Sequence, residues 1–252
     1  MKSLLQLEQV QIAGSQRDRL SNLSLRIHSG ERVALLGPSG AGKSSLISVS
    51  NGTLIPQRGR VLWRGRSLRQ RNVRQRCEIG TLWQDLRLIE ELSVGQNINA
   101  GALGRHGFLW ALANLLFSIG AEPCLQCLGQ AGLAPQSLGS EGLDRPVKRL
   151  SGGQRQRVAL ARLFRQRPSL ILADEPLASL DPAIAAEVLD CLLDKDSDGS
   201  LVHGAEAVMV SLHRPDLINR FDRVLALREG RLLIDAPASA VTPGDLQDLY
   251  AL

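Results

Sequence analysis

The chain has 252 residues, of which 44% are hydrophobic and only 3% aromatic. These values suit one large or two small globular units and exclude disordered and fibrous proteins. The 30 basic residues exceed the 25 acidic ones, for a formal net charge of +5. Such an excess predicts an anionic partner, which could be nucleic acid, a lipid surface or a phosphorylated ligand.

The sequence has no feature that predicts secretion or insertion into a membrane. Polar residues interrupt the first eight positions, where a secretory signal needs an apolar run of about seven residues. The longest nearly unbroken apolar stretch, Phe108 to Phe117, is well short of the ~20 residues that cross a bilayer. The pair Cys124-x-x-Cys127 lacks the second pair or nearby histidine of a zinc site. We therefore expect a cytoplasmic chain with reduced cysteines and a structural role for this pair.

The predicted elements alternate between strands and helices. In chain order, apolar patterning predicts strands at 23–27, 33–36, 59–63, 170–173 and 207–212, with the first of them at a sheet edge. It predicts helices from Lys43, through much of 92–140, over 151–167 and over 182–193. This alternation predicts an α/β fold with a mainly parallel sheet covered by helices.

A glycine-rich loop follows the second of these strands and leads into the first helix. Its sequence is Gly37-Pro38-Ser39-Gly40-Ala41-Gly42-Lys43-Ser44-Ser45. This spacing fits a P-loop, in which backbone N–H groups and a helix N-terminus face the phosphates of a nucleotide. We expect Lys43 to reach the β- and γ-phosphates and Ser44 to offer its hydroxyl to Mg²⁺.

Two adjacent carboxylates follow the buried strand at 170–173. Asp174 is suited to hold Mg²⁺ through water, and Glu175 to act as the general base for the water that attacks the γ-phosphate. The alternative is that both side chains only cap the following turn. Because a P-loop is present in the same chain, we interpret the pair as the second half of a site that hydrolyses ATP with Mg²⁺.

Four further segments resemble motifs of the ABC transporter ATPases. Leu150-Ser151-Gly152-Gly153-Gln154 resembles the signature motif, just upstream of the carboxylate strand as in that family. Ser179-Leu180-Asp181-Pro182 resembles the D-loop, Gln84 the Q-loop glutamine and His213 the switch histidine. With the P-loop and the carboxylates, six motifs stand in order between residues 37 and 213. On this basis the chain is identified as a member of the family.

The resemblance implies one P-loop NTPase domain over residues 1–252, with a mainly parallel sheet, a small antiparallel β-subdomain and a helical subdomain inserted at 92–150. It also implies a head-to-tail homodimer with two ATP molecules, each between the P-loop of one subunit and the signature motif of the other. The signature residues would be Ser151, Gly152, Gly153 and Gln154. Gln84 would contact Mg²⁺ and the attacking water, His213 the γ-phosphate, and Asp181 would link the two sites.

Three stretches resemble the phosphonate importer ATPases in particular. They are 101–105 with Trp110 and Phe117, 173–182, and 212–217 with Asp245, Leu246 and Tyr250. This resemblance implies a peripheral subunit on the cytoplasmic face of the inner membrane, working with integral membrane permease subunits and a periplasmic binding protein. Its cargo would be phosphonate or a related phosphorus oxyanion.

Two alternatives remain: an importer of another small solute, such as an amino acid or phosphate, and a soluble ATPase acting on nucleic acid or ribosomes. We expect no nucleic acid, since so few aromatic residues serve base stacking poorly.

One departure from the family concerns the adenine base. The family usually has an aromatic residue upstream of the P-loop, at about Ala13 here, yet no Phe, Tyr or Trp precedes Trp63. The guanidinium of Arg17 or Arg19 could stack on the base instead. The alternative is that both arginines are solvated. We expect weak discrimination between bases.

Three other segments allow more than one interpretation. The segment from Arg58 to Arg76 contains eight arginines and no acidic residue. It is either a solvated face or a surface that contacts anionic lipid headgroups. Asp194, Asp196 and Asp198 begin like a calcium loop, but position twelve is not Glu, which favours a polar surface loop. An apolar stripe is more typical of a core helix than of a docking surface for a membrane subunit. It comprises Phe108, Leu109, Trp110, Leu112, Leu115 and Leu116.

Overall fold

The computed structural model of the chain describes residues 3–15, 17–117, 119–178 and 180–251. The strands are β1 (Ser3–Ile12), β2 (Leu20–His28), β3 (Arg32–Leu36), β4 (Arg58–Trp63), β5 (Arg66–Ser67), β6 (Ile79–Leu82), β7 (Leu170–Ala173), β8 (Ala207–Ser211), β9 (Arg223–Arg228) and β10 (Arg231–Pro237). The helices are α1 (Lys43–Asn51), α2 (Val73–Arg76), α3 (Val94–Ala100), α4 (Phe108–Leu116), α5 (Ala121–Gln130), α6 (Gly152–Gln166), α7 (Pro182–Leu193) and α8 (Pro243–Tyr250). Among the segments discussed above, Ser179 of the D-loop motif and the first two of the eight N-terminal positions lie outside the described residues.

The chain divides into two compact units. The first unit consists of Met1–Arg71, Leu170–Pro176 and Glu206–Leu252, and the second of Asn72–Ser169 and Leu177–Ala205. The segment 92–150, in which a helical subdomain is expected, belongs to the second unit.

Two sheets form the first unit. One is antiparallel, with the strand order β2-β1-β4-β5, so that β2 lies at an edge as predicted. In the other, strands of this unit follow the order β10-β9-β3-β8-β7. Within it, β3 pairs in parallel with β8 and β9, and β7 pairs in parallel with β8. Every residue of β7 and β8 is buried, as the continuous apolar runs of a helix-covered parallel sheet require. The predicted α/β fold is therefore confirmed.

The hairpin of β9 and β10 was not identified from the sequence. The turn between these strands is Glu229-Gly230, and both residues have positive φ, 51° and 75°. Positive φ at both central residues is the geometry of a type I′ turn, whose twist matches that of the flanking strands. A Glu-Gly pair is a weaker signal for this turn than Asn-Gly, which explains why the hairpin is hard to predict.

The central element of the second unit is α6, which packs against α3 and α5. Ser151 caps its N-terminus, accepting a hydrogen bond from the backbone N–H of Gln154, whose side chain in turn accepts from the N–H of Ser151. This reciprocal capping box satisfies two backbone donors that the helix itself leaves unpaired. At the other end, Arg167 adopts a left-handed conformation and Pro168 follows, so the helix ends where the sequence predicts.

The apolar helix α4 differs from the expectation of a core helix. Phe108 and Leu109 are each 80% exposed, and Leu112, Leu115, Leu116 and the following Phe117 are also exposed. Only one residue of this helix, Asn114, is buried. Among the described residues no single helix is long and apolar enough to cross a bilayer, although the pair α4 and α5, bent by 80°, passes that test in combination.

Candidate functional site

The predicted phosphate-binding loop joins β3 to α1 in the first unit, and its glycines are required by its geometry. Gly37, Gly40 and Gly42 all have positive φ, a backbone conformation that residues other than glycine rarely adopt. A Cβ atom at Gly37 would lie 2.3 Å from the carbonyl oxygen of Leu227, and one at Gly42 would lie 2.4 Å from that of Arg19. The loop can therefore wrap this tightly only with glycine at these two positions.

Lys43 is buried within the loop, with only 5% of its surface exposed. Its Nζ donates hydrogen bonds to the carbonyl oxygens of Gly37 (2.8 Å) and Pro38 (3.3 Å). Burial lowers the pKa of Lys43, and the nearby carboxylates of Glu175 and Asp174 oppose that shift. The side chain is thus a cation held against the loop by backbone oxygens and by two negative neighbours.

A cavity of 420 Å³ brings the predicted catalytic residues of the first unit together. It is lined by Arg19, Ser39, Gly40, Ala41, Gly42, Lys43, Ser44, Ser45, Glu175 and His213. Residues from four separate parts of the sequence therefore surround one space, in which Arg19, Lys43 and the N-terminal end of α1 face the Glu175 carboxylate. This combination suits an anionic ligand that is to react with water.

Glu175 contacts both Lys43 and His213 in this cavity. Its Oε1 lies 3.7 Å from Nζ of Lys43 and 2.5 Å from Nε2 of His213. Its backbone is in the left-handed region, with φ of 49°, a conformation that costs a non-glycine residue about 1–3 kcal/mol. The surrounding structure must therefore hold the Glu175 backbone in place.

Ser211, at the end of β8, holds the Glu175 backbone in place. The sequence motifs do not single out this residue. Its Oγ donates a hydrogen bond to Oδ1 of Asp174 (2.9 Å) and accepts one from the backbone N–H of Glu175 (2.8 Å). Asp174 and Ser211 are both buried. A serine within an otherwise apolar strand is the signal that could have found it, since a buried hydroxyl requires a partner.

We expect the substitution Ser211→Ala to reduce the rate of ATP hydrolysis about tenfold and the free energy of unfolding by about 1–3 kcal/mol, because it leaves a buried carboxylate and a backbone N–H without their partner. Steady-state phosphate release and urea unfolding measure the two effects. Ser211→Thr retains the hydroxyl and serves as the control. Equal rates for Ser211→Ala and the unchanged protein would refute this positioning role.

The other predicted site residues belong to the second unit. Gln84 follows β6, Ser151 to Gln154 form the N-terminal end of α6, and Asp181 caps α7 by accepting a hydrogen bond from the N–H of Ala183 at 3.0 Å. Ser151 and Gly152 are exposed, so this end of the helix is open to solvent, although the capping box already pairs the N–H groups of Ser151 and Gln154. The approach of this helix end to a nucleotide, like the homodimer, stays a prediction.

The donors around the loop fit Mg²⁺. Ser44 offers a hydroxyl and Asp174 a carboxylate, and hard oxygen donors of this kind suit Mg²⁺, which is usually held by one or two protein ligands together with phosphate oxygens. No cluster of three or more His, Cys, Asp or Glu side chains that could hold a metal on its own occurs within the described part of the chain.

The cavity also bears on how the adenine base is held. Arg19 lines it, whereas Arg17 forms an ion pair with Glu229 at 3.1 Å. Both arginines are exposed, as is Ala13. Of the two candidate arginines, Arg19 is therefore the one that the cavity favours for contact with a bound nucleotide.

The weaker sequence signals have structural explanations. Cys124 and Cys127 are buried in α5, and burial raises the pKa of Cys124 to about 11, which keeps it a protonated thiol. Asp196 and Asp198 accept hydrogen bonds from the backbone N–H of Ser200, as expected of a polar loop. In the segment from Arg58 to Arg76, Arg60 and Arg64 form ion pairs with glutamates, so acids from elsewhere in the chain neutralise part of this charge.

Comparison with known proteins agrees with this geometry. Residues 20–178 match the family described as ABC transporter. The chain is 44% identical over 236 residues to the phosphonates import ATP-binding protein PhnC of Anaeromyxobacter dehalogenans, covering 92% of this chain but only 45% of that relative. It is 39% identical over 243 residues to PhnC of Burkholderia pseudomallei, covering 93% of this chain and 76% of that relative.

A solved structure is similar over nearly the same length. This is a dimeric bacterial ABC transporter cassette, with a TM-score of 0.76 and 25% sequence identity, covering 93% of this chain and 99% of that one. The likeness extends to the whole cassette rather than to the phosphate-binding loop alone.

Proposed function

Because the chain belongs to the ABC transporter family of ATP-binding proteins, we propose that it is the ATP-hydrolysing subunit of an importer for phosphonate or a related phosphorus oxyanion. The observation that carries the hydrolytic part is the cavity in which Lys43 and Ser44 of the loop meet Glu175 and His213. The cargo rests on the names of the relatives, which are phosphonates import proteins.

The loop and Lys43 bind the phosphates in this proposal. The backbone N–H groups at the start of α1 and the Lys43 ammonium supply donors and positive charge to the β- and γ-phosphates. Mg²⁺, when bound, would neutralise further phosphate charge, held by Ser44, Asp174 and Gln84. An incoming γ-phosphate competes with the Glu175 carboxylate for Lys43 and His213, the two side chains that Glu175 contacts.

Release from these two partners gives Glu175 its catalytic role. The carboxylate then accepts a proton from the attacking water, while His213 remains to donate a hydrogen bond to the γ-phosphate. Through its two hydrogen bonds, Ser211 keeps the Glu175 backbone and the Asp174 carboxylate in position during the reaction. In this proposal the two adjacent residues therefore have different roles: Asp174 holds the metal, and Glu175 acts as the base for the attacking water.

The signature motif completes the site from a second subunit. The exposed N-terminal end of α6 begins with Gly152 and Gly153 and has no lysine, as suits contact with a nucleotide that another protomer already holds. The assembly we propose is a head-to-tail homodimer with Ser151 to Gln154 over the partner's nucleotide and with Asp181 between the two sites. The dimeric cassette of similar structure supports it.

The exposed apolar face of α4 supports docking on a membrane partner. A contiguous apolar surface of this kind is uncommon on proteins that work alone and is typical of an interaction site. We assign it to the integral membrane permease subunits, which would hold the chain at the cytoplasmic face of the membrane, with a periplasmic binding protein delivering the cargo.

We expect Phe108→Asp combined with Leu109→Asp to abolish co-purification with the permease subunits, because two charges would enter an apolar interface. Both side chains are 80% exposed, so the isolated chain should fold and retain its basal ATP hydrolysis. Leu233→Asp, at a side chain that is 55% exposed on β10 in the first unit, is the matched control. Retention of the permease by the double variant would contradict this docking surface.

Reconstitution tests the function as a whole. The chain, the permease subunits and the binding protein are placed in proteoliposomes, and ATP-dependent uptake of radiolabelled methylphosphonate, phosphate and an amino acid is compared. Preferred uptake of methylphosphonate supports the proposal, and preferred uptake of the amino acid overturns the assigned cargo. Hydrolysis that nucleic acid stimulates without any membrane partner would favour the alternative of a soluble ATPase.

A further inference from the structure

A second cavity lies entirely within the second unit, separate in its residues from the nucleotide loop. Its volume is 310 Å³, and its lining includes Arg165, Arg167, Gln126 and Gln130. The rings of Phe164 and His203, also in the lining, stack at a centroid distance of 5.0 Å and form one wall. The volume is at the lower end of the range of small-molecule sites, about 300–1,000 Å³.

Arginines lie in and next to this cavity: Arg165 and Arg167 line it, and Arg105 contacts Arg165. Arg105 donates a hydrogen bond to the carbonyl oxygen of Arg165. Burial and, to a smaller extent, the positive charges of Arg167 and Arg165 lower the pKa of Arg105. Arg165 is only 9% exposed, and its Nε donates to the side-chain oxygen of Asn99 at 3.1 Å.

No carboxylate balances this positive charge in the part of the chain that the structure describes. Within that part, Arg105, Arg165 and Arg167 form no ion pair, and Nε of Arg105 is buried without a hydrogen-bond partner. Other arginines of the same unit are neutralised: Arg155 pairs with Glu90 and Arg157 with Glu187. Two arginines that line one cavity, one of them buried, leave positive charge without a counter-ion, and a bound anion would compensate it.

The lining also indicates which anion fits. Guanidinium groups match the oxygens of phosphate-like groups through paired hydrogen bonds, and the amides of Gln126 and Gln130 offer further neutral donors. We propose that this cavity binds a tetrahedral phosphorus oxyanion, either inorganic phosphate or an organic phosphonate. This site is independent of the proposed transport function, since its residues take no part in hydrolysis.

The test is a calorimetric titration of the full chain with inorganic phosphate. Mg²⁺ and a non-hydrolysable ATP analogue are kept at saturation, so that the nucleotide loop is already filled. We expect one phosphate per chain, and an affinity about tenfold lower for Arg167→Gln, which removes one charged donor. Arg167 is exposed, so this variant should fold. Arg231→Gln, an exposed arginine of the first unit, is the matched control and should bind phosphate unchanged.

Competition then identifies the source of the anion. Radiolabelled phosphate is bound first and then displaced by increasing concentrations of methylphosphonate or of unlabelled phosphate. If methylphosphonate displaces it at the lower concentration, the site is assigned to phosphonates; if unlabelled phosphate does so, the site is assigned to free phosphate. Absence of saturable phosphate binding to the unsubstituted chain overturns the proposal. An equal loss of affinity in Arg167→Gln and Arg231→Gln also overturns it, because the effect would then come from net charge alone.

Discussion

Glu175→Gln is expected to lower the steady-state rate of ATP hydrolysis by about 10²–10⁴-fold, the usual contribution of a general base. Glutamine has nearly the same shape as glutamate but cannot accept the proton of the attacking water. Release of inorganic phosphate under saturating ATP measures this effect. Unchanged hydrolysis in Glu175→Gln would remove Glu175 from the role of base.

The same variant should keep or increase its affinity for ATP. In the unsubstituted chain, Glu175 contacts Lys43 and His213, and a neutral amide competes less with the γ-phosphate for these two side chains. We therefore expect Glu175→Gln to accumulate as an ATP-bound homodimer, which light scattering after gel filtration detects. Glu122→Gln, an exposed acid in the first turn of α5, is the control and should hydrolyse ATP at the normal rate.

Lys43→Ala is expected to reduce affinity for ATP by about 10–100-fold, because a hydrogen bond to a charged group contributes roughly 1.5–3 kcal/mol. The effect should be at the upper end, since Lys43 is buried and its ammonium is positioned by the carbonyl oxygens of Gly37 and Pro38. Titration with a fluorescent ATP analogue measures the affinity.

Lys195→Ala controls for the loss of one positive charge, because Lys195 is exposed in the second unit. Lys43→Arg gives a stricter comparison: it keeps the charge, but the planar guanidinium does not reproduce the compact ammonium. We expect Lys43→Arg to bind ATP more weakly than the unsubstituted chain. Full affinity in Lys43→Ala would contradict the assignment of this loop as the phosphate site.

Much of the nucleotide site could be predicted because its determinants are local. The glycines at positions 37 and 42, the lysine and the following hydroxyl form one continuous segment, and each residue type is fixed by close backbone approach or by phosphate chemistry. Likewise, the strand before Asp174 is recognisable from its unbroken apolar run, which gives the expected buried strand, β7. The order of these motifs also points to the family that the comparisons establish.

The exposure of α4 could not be predicted, because an apolar helix has the same sequence pattern whether it faces a protein core or an external partner. In the structure only Asn114 of this helix is buried, and Phe108 and Leu109 are exposed. The arginine cluster in the second unit was also not predicted, since Arg105 lies 60 residues from Arg165 in the chain.

The sequence by itself determined the loop, the carboxylate pair and the α/β fold class, because these follow from short-range spacing and apolar periodicity. Only the tertiary structure decided how Glu175 is held. The parallel register pairs Ala173 of β7 with Val210 of β8, which brings the next residues, Asp174 and Ser211, within hydrogen-bonding distance across 37 positions of chain. The apolar pattern of each strand contributes to its register, but the partner of β7 lies more than 30 residues away in the chain and meets it only in the folded protein.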